Sequence, residues 1–174
     1  MTVEDEVRQT CDDIEGLRQG TDRLKQACPE EAKPELSSLE GTLQHFVHDA
    51  RDARAKLDAG MREGFESLVS SWRERRDRLH AHMHLLEARS ALASARRLAD
   101  DQYFVAAEAE LTTALRKVRE ALERMPADAA MNALVAEIQS AIADVREAGR
   151  LAAAKLEEIA AYNQTLLSEI TSAA

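Results

Sequence analysis

The sequence predicts an all-α protein, built as an elongated antiparallel helical bundle whose helices meet through coiled-coil-like seams. Three observations predict it. Apolar residues recur at alternating intervals of three and four along most of the 174 positions, the spacing with which one helix face meets another. The composition is 45% hydrophobic but only 3% aromatic, and it is dominated by Ala, Leu, Glu and Arg, which form helices well and strands poorly. The three prolines (Pro29, Pro34, Pro126) fall between the periodic runs rather than inside them, where they would break a helix.

The first predicted helix covers residues 3–28. Val3, Val7, Thr10, Ile14, Leu17, Thr21, Leu24 and Cys28 form its inner stripe. Thr2 suits the N-cap, with Asp5 in an acidic first turn. Pro29 ends the helix, because the residue before a proline disfavours the α region. Residues 29–34 form a short connection.

No proline follows until Pro126, and a second, very long helix is expected over about 35–99. Leu36, Leu39, Leu43, Phe46, Ala50, Ala53 and Leu57 keep the rhythm. It then slips through Met61, Phe65, Leu68, Trp72 and Leu79, where Gly60 and Gly64 stand. A coiled-coil stutter accounts for the slip in a continuous or gently bent helix, which is the expectation here. A break at 60–64 is the alternative.

Asp100 and Asp101 are candidate caps for a third helix over 102–125, with Phe104, Ala107, Leu111, Ala114, Val118, Ala121 and Met125 inward. The stretch 85–125 therefore reads as an antiparallel helix pair. Its DDQYFVAA turn resembles that of tetratricopeptide hairpins. No copy appears about 34 residues to either side, so a repeat array is not expected. Asp128 can start the last helix, over 128–172. Met131, Val135, Ile138, Ile142, Val145, Gly149, Ala152, Leu156, Ile159, Asn163, Leu166 and Ile170 hold one stripe through roughly six heptads. Asn163 on a seam either fixes register and partner number or marks a wet, frayed end.

Length turns this pattern into a prediction about assembly. A helix over 35–99 would be about 98 Å long at 1.5 Å per residue. The last helix would then overrun its neighbours by about 20 residues, or about 30 Å. That overhang carries Leu156, Ile159, Asn163, Leu166 and Ile170, which are the expected partner-binding residues, with a homodimer as the favoured assembly. If the long helix breaks near Gly60, a four- or five-helix bundle is expected instead, with this stripe as ordinary core.

Charge narrows the function classes. The net charge is −9, which speaks against a dedicated nucleic-acid binder. Residues 61–100 are the exception, with 8 basic and 6 acidic side chains. There Arg73, Arg75, Arg76 and Arg78 surround Trp72 and form a candidate anion-binding cluster. Glu74 and Asp77 interleave with them, so a salt-bridged face is the plainer reading. His80 and His84 stand one turn apart and form a candidate metal pair, though no Glu-x-x-His motif accompanies them. The plainer reading is a half-wet helix face.

Nothing in the sequence singles out a nucleophile and base, and no phosphate loop, Gly-x-Ser-x-Gly elbow or Cys-x-x-Cys is present. Catalysis and a cofactor are therefore not expected. Cys11 and Cys28, 17 positions apart, would stand about 25 Å apart on one helix and read as small seam residues in a reducing compartment. No secretory signal or membrane span is visible, and a cytoplasmic location is the expectation. The function expected is a non-catalytic scaffold or adaptor that self-associates and binds a protein partner. Peripheral binding to a membrane or granule surface is one alternative, and metal or small-ligand binding in a bundle is another.

Overall fold

The computed structural model describes residues 2–173, except for the side chains of residue 31 and residues 168–173. Five α-helices account for nearly all of it: α1 (Val3–Ala27), α2 (Lys33–Asp58), α3 (Phe65–Asp100), α4 (Phe104–Arg124) and α5 (Ala129–Ala173). A single 3₁₀ turn, Glu30–Ala32, joins α1 to α2. No strand occurs among the described residues.

The helix starts follow local chemistry. Thr2 and Asp5 close a capping box on α1: the Asp5 N–H donates to Thr2 Oγ1 at 3.1 Å, and the Thr2 N–H donates to Asp5 Oδ2 at 3.1 Å. Pro34 sits in the first turn of α2, where its missing N–H costs nothing. The Met131 N–H donates to Asp128 Oδ1 at 2.9 Å at the start of α5, as the sequence predicts. The start of α4 departs from expectation. Tyr103, not an aspartate, occupies its N-cap, and Asp101 is the C-cap of α3.

The expected helix over 35–99 is two helices, α2 and α3. Gly60 at φ +80° follows the α2 C-cap, with the Gly60 N–H donating to Leu57 O at 2.9 Å and the Met61 N–H to Lys56 O at 3.0 Å. That bonding pattern is a Schellman motif, which needs a left-handed residue and so favours glycine. Gly64, also left-handed at φ +81°, precedes α3. The break therefore has a specific stop signal, and Met61 lies exposed outside both helices.

α3 is the shared spine of two three-helix layers. On one side it packs with α1 and α2 around Ile14, Leu17, Leu39, Leu43, Phe46 and Trp72. On the other it packs with α4, on which α5 lies in turn, around Ala81, Ala88, Ala91, Ala114, Val118 and Ile138. Cross-helix pairs fix the directions. Arg76 with Asp13 and Ser90 with Ala27 set α3 parallel to α1. Glu35 with Arg89 and Asp49 with Arg75 set α2 antiparallel to α3. Asp77 with Arg124 sets α4 antiparallel to α3, and Glu108 with Arg146 sets α5 antiparallel to α4. The slipped rhythm between 61 and 99 has this cause: α3 buries two faces, so its apolar residues follow two overlapping stripes. The second stripe is mostly alanine, which lets α4 approach closely.

Trp72 is 1% exposed and meets Phe46 edge-on, with centroids 5.6 Å apart and planes at 76°. It is a core anchor, as its phase with Phe65 and Leu79 predicts.

Candidate functional site: the projecting half of the last helix

α5 is 45 residues long, and α4, the helix it lies against, is 21. The two run antiparallel from their shared turn. Their contact ends where Gly149 passes Phe104: a Cβ built on Gly149 would lie 3.2 Å from Phe104 Cβ. From there the backbone of α5 runs on to Ala173, about 36 Å at 1.5 Å per residue, and the residues from 153 to 166 are exposed. α3 has already ended at Asp100, and α1 reaches only the level of Ser90.

The composition does not change where the contacts stop. Met131 and Ile138 are buried, whereas Leu156, Ile159, Asn163, Leu166 and Leu167 are exposed. Leu156 is 66% exposed and Ile159 is 55%. Tyr162, at 68%, flanks them. The side chain of Ile170 lies outside the described residues. The nearest carboxylates, Glu157 and Glu158, lie off this face by helical phase. The break at Gly60 did not turn the stripe into core, because the first layer is closed by α1, α2 and α3 without α5. Tyr162 was not singled out by a strict four-three spacing, since it sits beside the stripe; widening the stripe by one position would have found it.

The four arginines each meet a carboxylate, with Arg76 the most covered and Arg73 and Arg78 exposed. Arg73 pairs with Glu6, Arg75 with Asp49 at 3.4 Å, Arg76 with Asp13 at 3.4 Å, and Arg78 with Glu74. The Arg75 guanidinium also lies 4.5 Å from the centroid of the Phe46 ring, a cation–π contact. Three of the four pairs cross between helices, so the cluster stitches α3 to α1 and α2.

His80 and His84 stack loosely on α3, with centroids 6.5 Å apart. Burial, followed by the charge of Arg124, pushes His80 down to about 4; burial also lowers His82 and His84. His84 Nδ1 stands 3.3 Å from Glu120 Oε2 but out of hydrogen-bond alignment. The carboxylates nearest it, Glu87 and Glu120, already share a cation, the ammonium of Lys117. No set of three or more His, Cys, Asp or Glu side chains among the described residues is arranged to hold a metal ion.

Open grooves run between the helices, such as the one lined by Thr21, Leu43 and His45. No described helix is long and apolar enough to cross a membrane. Cys11 donates weakly to Ala50 O at 3.6 Å and Cys28 is buried, both as free thiols. Set against known proteins, the chain matches no family model, no curated protein and no solved structure.

Proposed function

We propose that this chain is a non-catalytic helical scaffold that self-associates through the projecting half of α5 and holds its bundle out for a protein partner. One observation supports this above the others: the apolar stripe of Leu156, Ile159 and Leu166 stays exposed over the stretch of about 26 Å that α5 runs past its contact with Phe104 at Gly149. Covering Leu156, Ile159 and Leu166 would stabilise an assembly by about 1.5–3 kcal/mol for each side chain fully buried, before the cost of association.

The charge pattern favours a protein over a lipid surface as the cover. The chain is net acidic at −9, which weakens its attraction to an anionic bilayer, although Lys155 lies beside the apolar stripe by helical phase. The ion pairs between α1, α2 and α3 suit a rigid spacer.

Light scattering at micromolar concentration tests the reading, with vesicle flotation beside it. A mass of twice 19.3 kDa or more, and no flotation, is expected. A 19.3 kDa particle that floats with vesicles would replace self-association by surface binding.

A further inference from the structure

Where the two layers meet on α3, an open groove of about 430 Å³ runs along the helix. Arg75, Arg78, Leu79, His82 and Leu85 line it, and steps of three and four residues put them on one side of α3. Thr42 of α2 stands at one edge, level with His82, because Glu35 pairs with Arg89 and Asp49 with Arg75 in the antiparallel pair. Met125 and Met131, from the two sides of the α4–α5 turn, form the other edge.

The groove is cationic at one end and apolar along its floor. Leu79, Ala81 and Met131 are buried, and Leu85 and Met125 are half-buried. Thr42 gives its hydroxyl to Ser38 O at 3.0 Å. Burial lowers the pKa of His82, so this ring is neutral at pH 7. The lining therefore holds two guanidiniums and no carboxylate, in a chain of net charge −9. Asp49 and Glu74, which pair with those guanidiniums, stand outside the groove. Among the described residues each takes a single terminal nitrogen, Nη1 of Arg75 at 3.4 Å and Nη2 of Arg78, whereas a guanidinium carries five N–H donors. The Arg78–Glu74 pair is also exposed and one turn apart on a single helix, a weak arrangement that another carboxylate can displace.

We propose that this groove binds a free medium-chain fatty carboxylate, with its head on Arg78 and Arg75 and its chain along Leu79, Leu85, Met125 and Met131. The planar guanidinium fork matches a carboxylate in shape and charge. Methionine side chains are unbranched and adapt to a flexible alkyl chain. From Arg75 to Leu85 the floor runs about 15 Å, close to the length of extended dodecanoate, and the volume falls within the ordinary range of small-molecule sites. Neither the projection of α5 nor self-association enters this inference.

Methyl NMR on the full chain, labelled at its methionines and titrated with dodecanoate below its micelle point, tests the proposal. The Met125 and Met131 methyls are expected to shift and saturate together, while those of Met61, in the turn after α2, and Met83, against Gly20 of α1, stay in place. Dodecanol, the same chain without the charge, is expected to bind about tenfold more weakly, and so is dodecanoate to Arg78→Gln, for the loss of a charged hydrogen bond. Arg78 is exposed, so the variant keeps the fold, and an unchanged thermal midpoint checks that. Absence of a saturable shift overturns the proposal. So does movement of all four methyls together, which is detergent action, or equal affinity for dodecanol or for Arg78→Gln. Shifts of Met125 and Met131 that follow protein concentration without dodecanoate would give the groove to a second copy and overturn it as well.

Discussion

Ile138 and Leu156 point from the same side of α5, five helical turns apart, yet Ile138 is 2% exposed and Leu156 is 66% exposed. Only the length of the neighbouring helices separates them. α4 provides a wall for Ile138, and about 27 Å further along the axis no wall remains. The same apolar pattern thus builds the core of the bundle over its first half and an exposed face over its second.

Changing the exposed half should leave the bundle intact. Leu156→Glu with Ile159→Glu places two carboxylates on the projecting face, far from both cores. The variant is expected to sediment as a monomer and to show lower helicity, since a lone helix frays. The bundle's own stability should change by no more than about 0.5 kcal/mol, as for other surface substitutions. A urea midpoint far below that of wild type, measured at a concentration where both are monomeric, would show that the projection packs on the bundle.

Trp72→Ala acts on the opposite end of the molecule. It removes the ring that meets Phe46 at 5.6 Å and leaves a large void between α2 and α3. A loss of about 3–5 kcal/mol is expected, read from urea unfolding followed by circular dichroism. A loss below about 1 kcal/mol would mean that Trp72 is not buried.

Two helix ends use the same bonding motif with different residues. Gly60 takes the left-handed position after α2, and Gln102 takes it after α3 at φ 65°, with the Tyr103 N–H donating to Leu98 O at 2.8 Å. A side chain there carries a steric cost of about 1 kcal/mol that glycine avoids. Gln102→Gly is therefore expected to raise stability by about 0.5–1 kcal/mol, and Gly60→Ala to lower it by about 1 kcal/mol. Equal thermal midpoints for Gln102→Gly and wild type would contradict the assignment of that turn.

His80 gives the fold a pH dependence of defined sign. Burial and Arg124 lower its pKa to about 4 from an ordinary 6.5, against a smaller opposing pull from Asp13. Above pH 6.5 the residue is neutral in both folded and unfolded chains and carries no penalty. Between 6.5 and about 4 the unfolded chain binds the proton first, so stability falls as pH drops. His80→Gln should recover about 1–2 kcal/mol of the loss between pH 7 and pH 4, allowing for partial exposure of the ring. Unfolding curves at the two pH values decide it, and an unchanged slope in the variant would contradict the buried neutral state. Carboxylates such as Glu108, held low by its bond to Arg146, give a remaining acid dependence common to both proteins.

Much of the architecture was legible because seam periodicity and caps are local. The stripes of α1 and α5, the capping of Thr2 and Asp128, and the stop at Pro29 each depend on residues within one or two turns. The break after Asp58 was harder to read, since Gly60 ends a helix only if the chain has somewhere to turn, and α3 had two faces to fill. Alanine at 81, 88, 91 and 95 carries a weak hydrophobic signal, so the second face was invisible beside Trp72 and Leu79. The salt-bridged face was the plainer reading of the arginine cluster, but its partners Glu6, Asp13 and Asp49 lie on other helices and could not be named from the local sequence. The projecting stripe was readable for a simpler reason: helix length follows from residue count.

Amide hydrogen exchange across residues 153–167, measured as a function of protein concentration, reads the central claim most directly. If a second copy covers this face, protection there rises as the protein is concentrated through its association range, while the amides of α3 stay equally slow throughout. Fast exchange at 153–167 that is the same at every concentration would contradict the account.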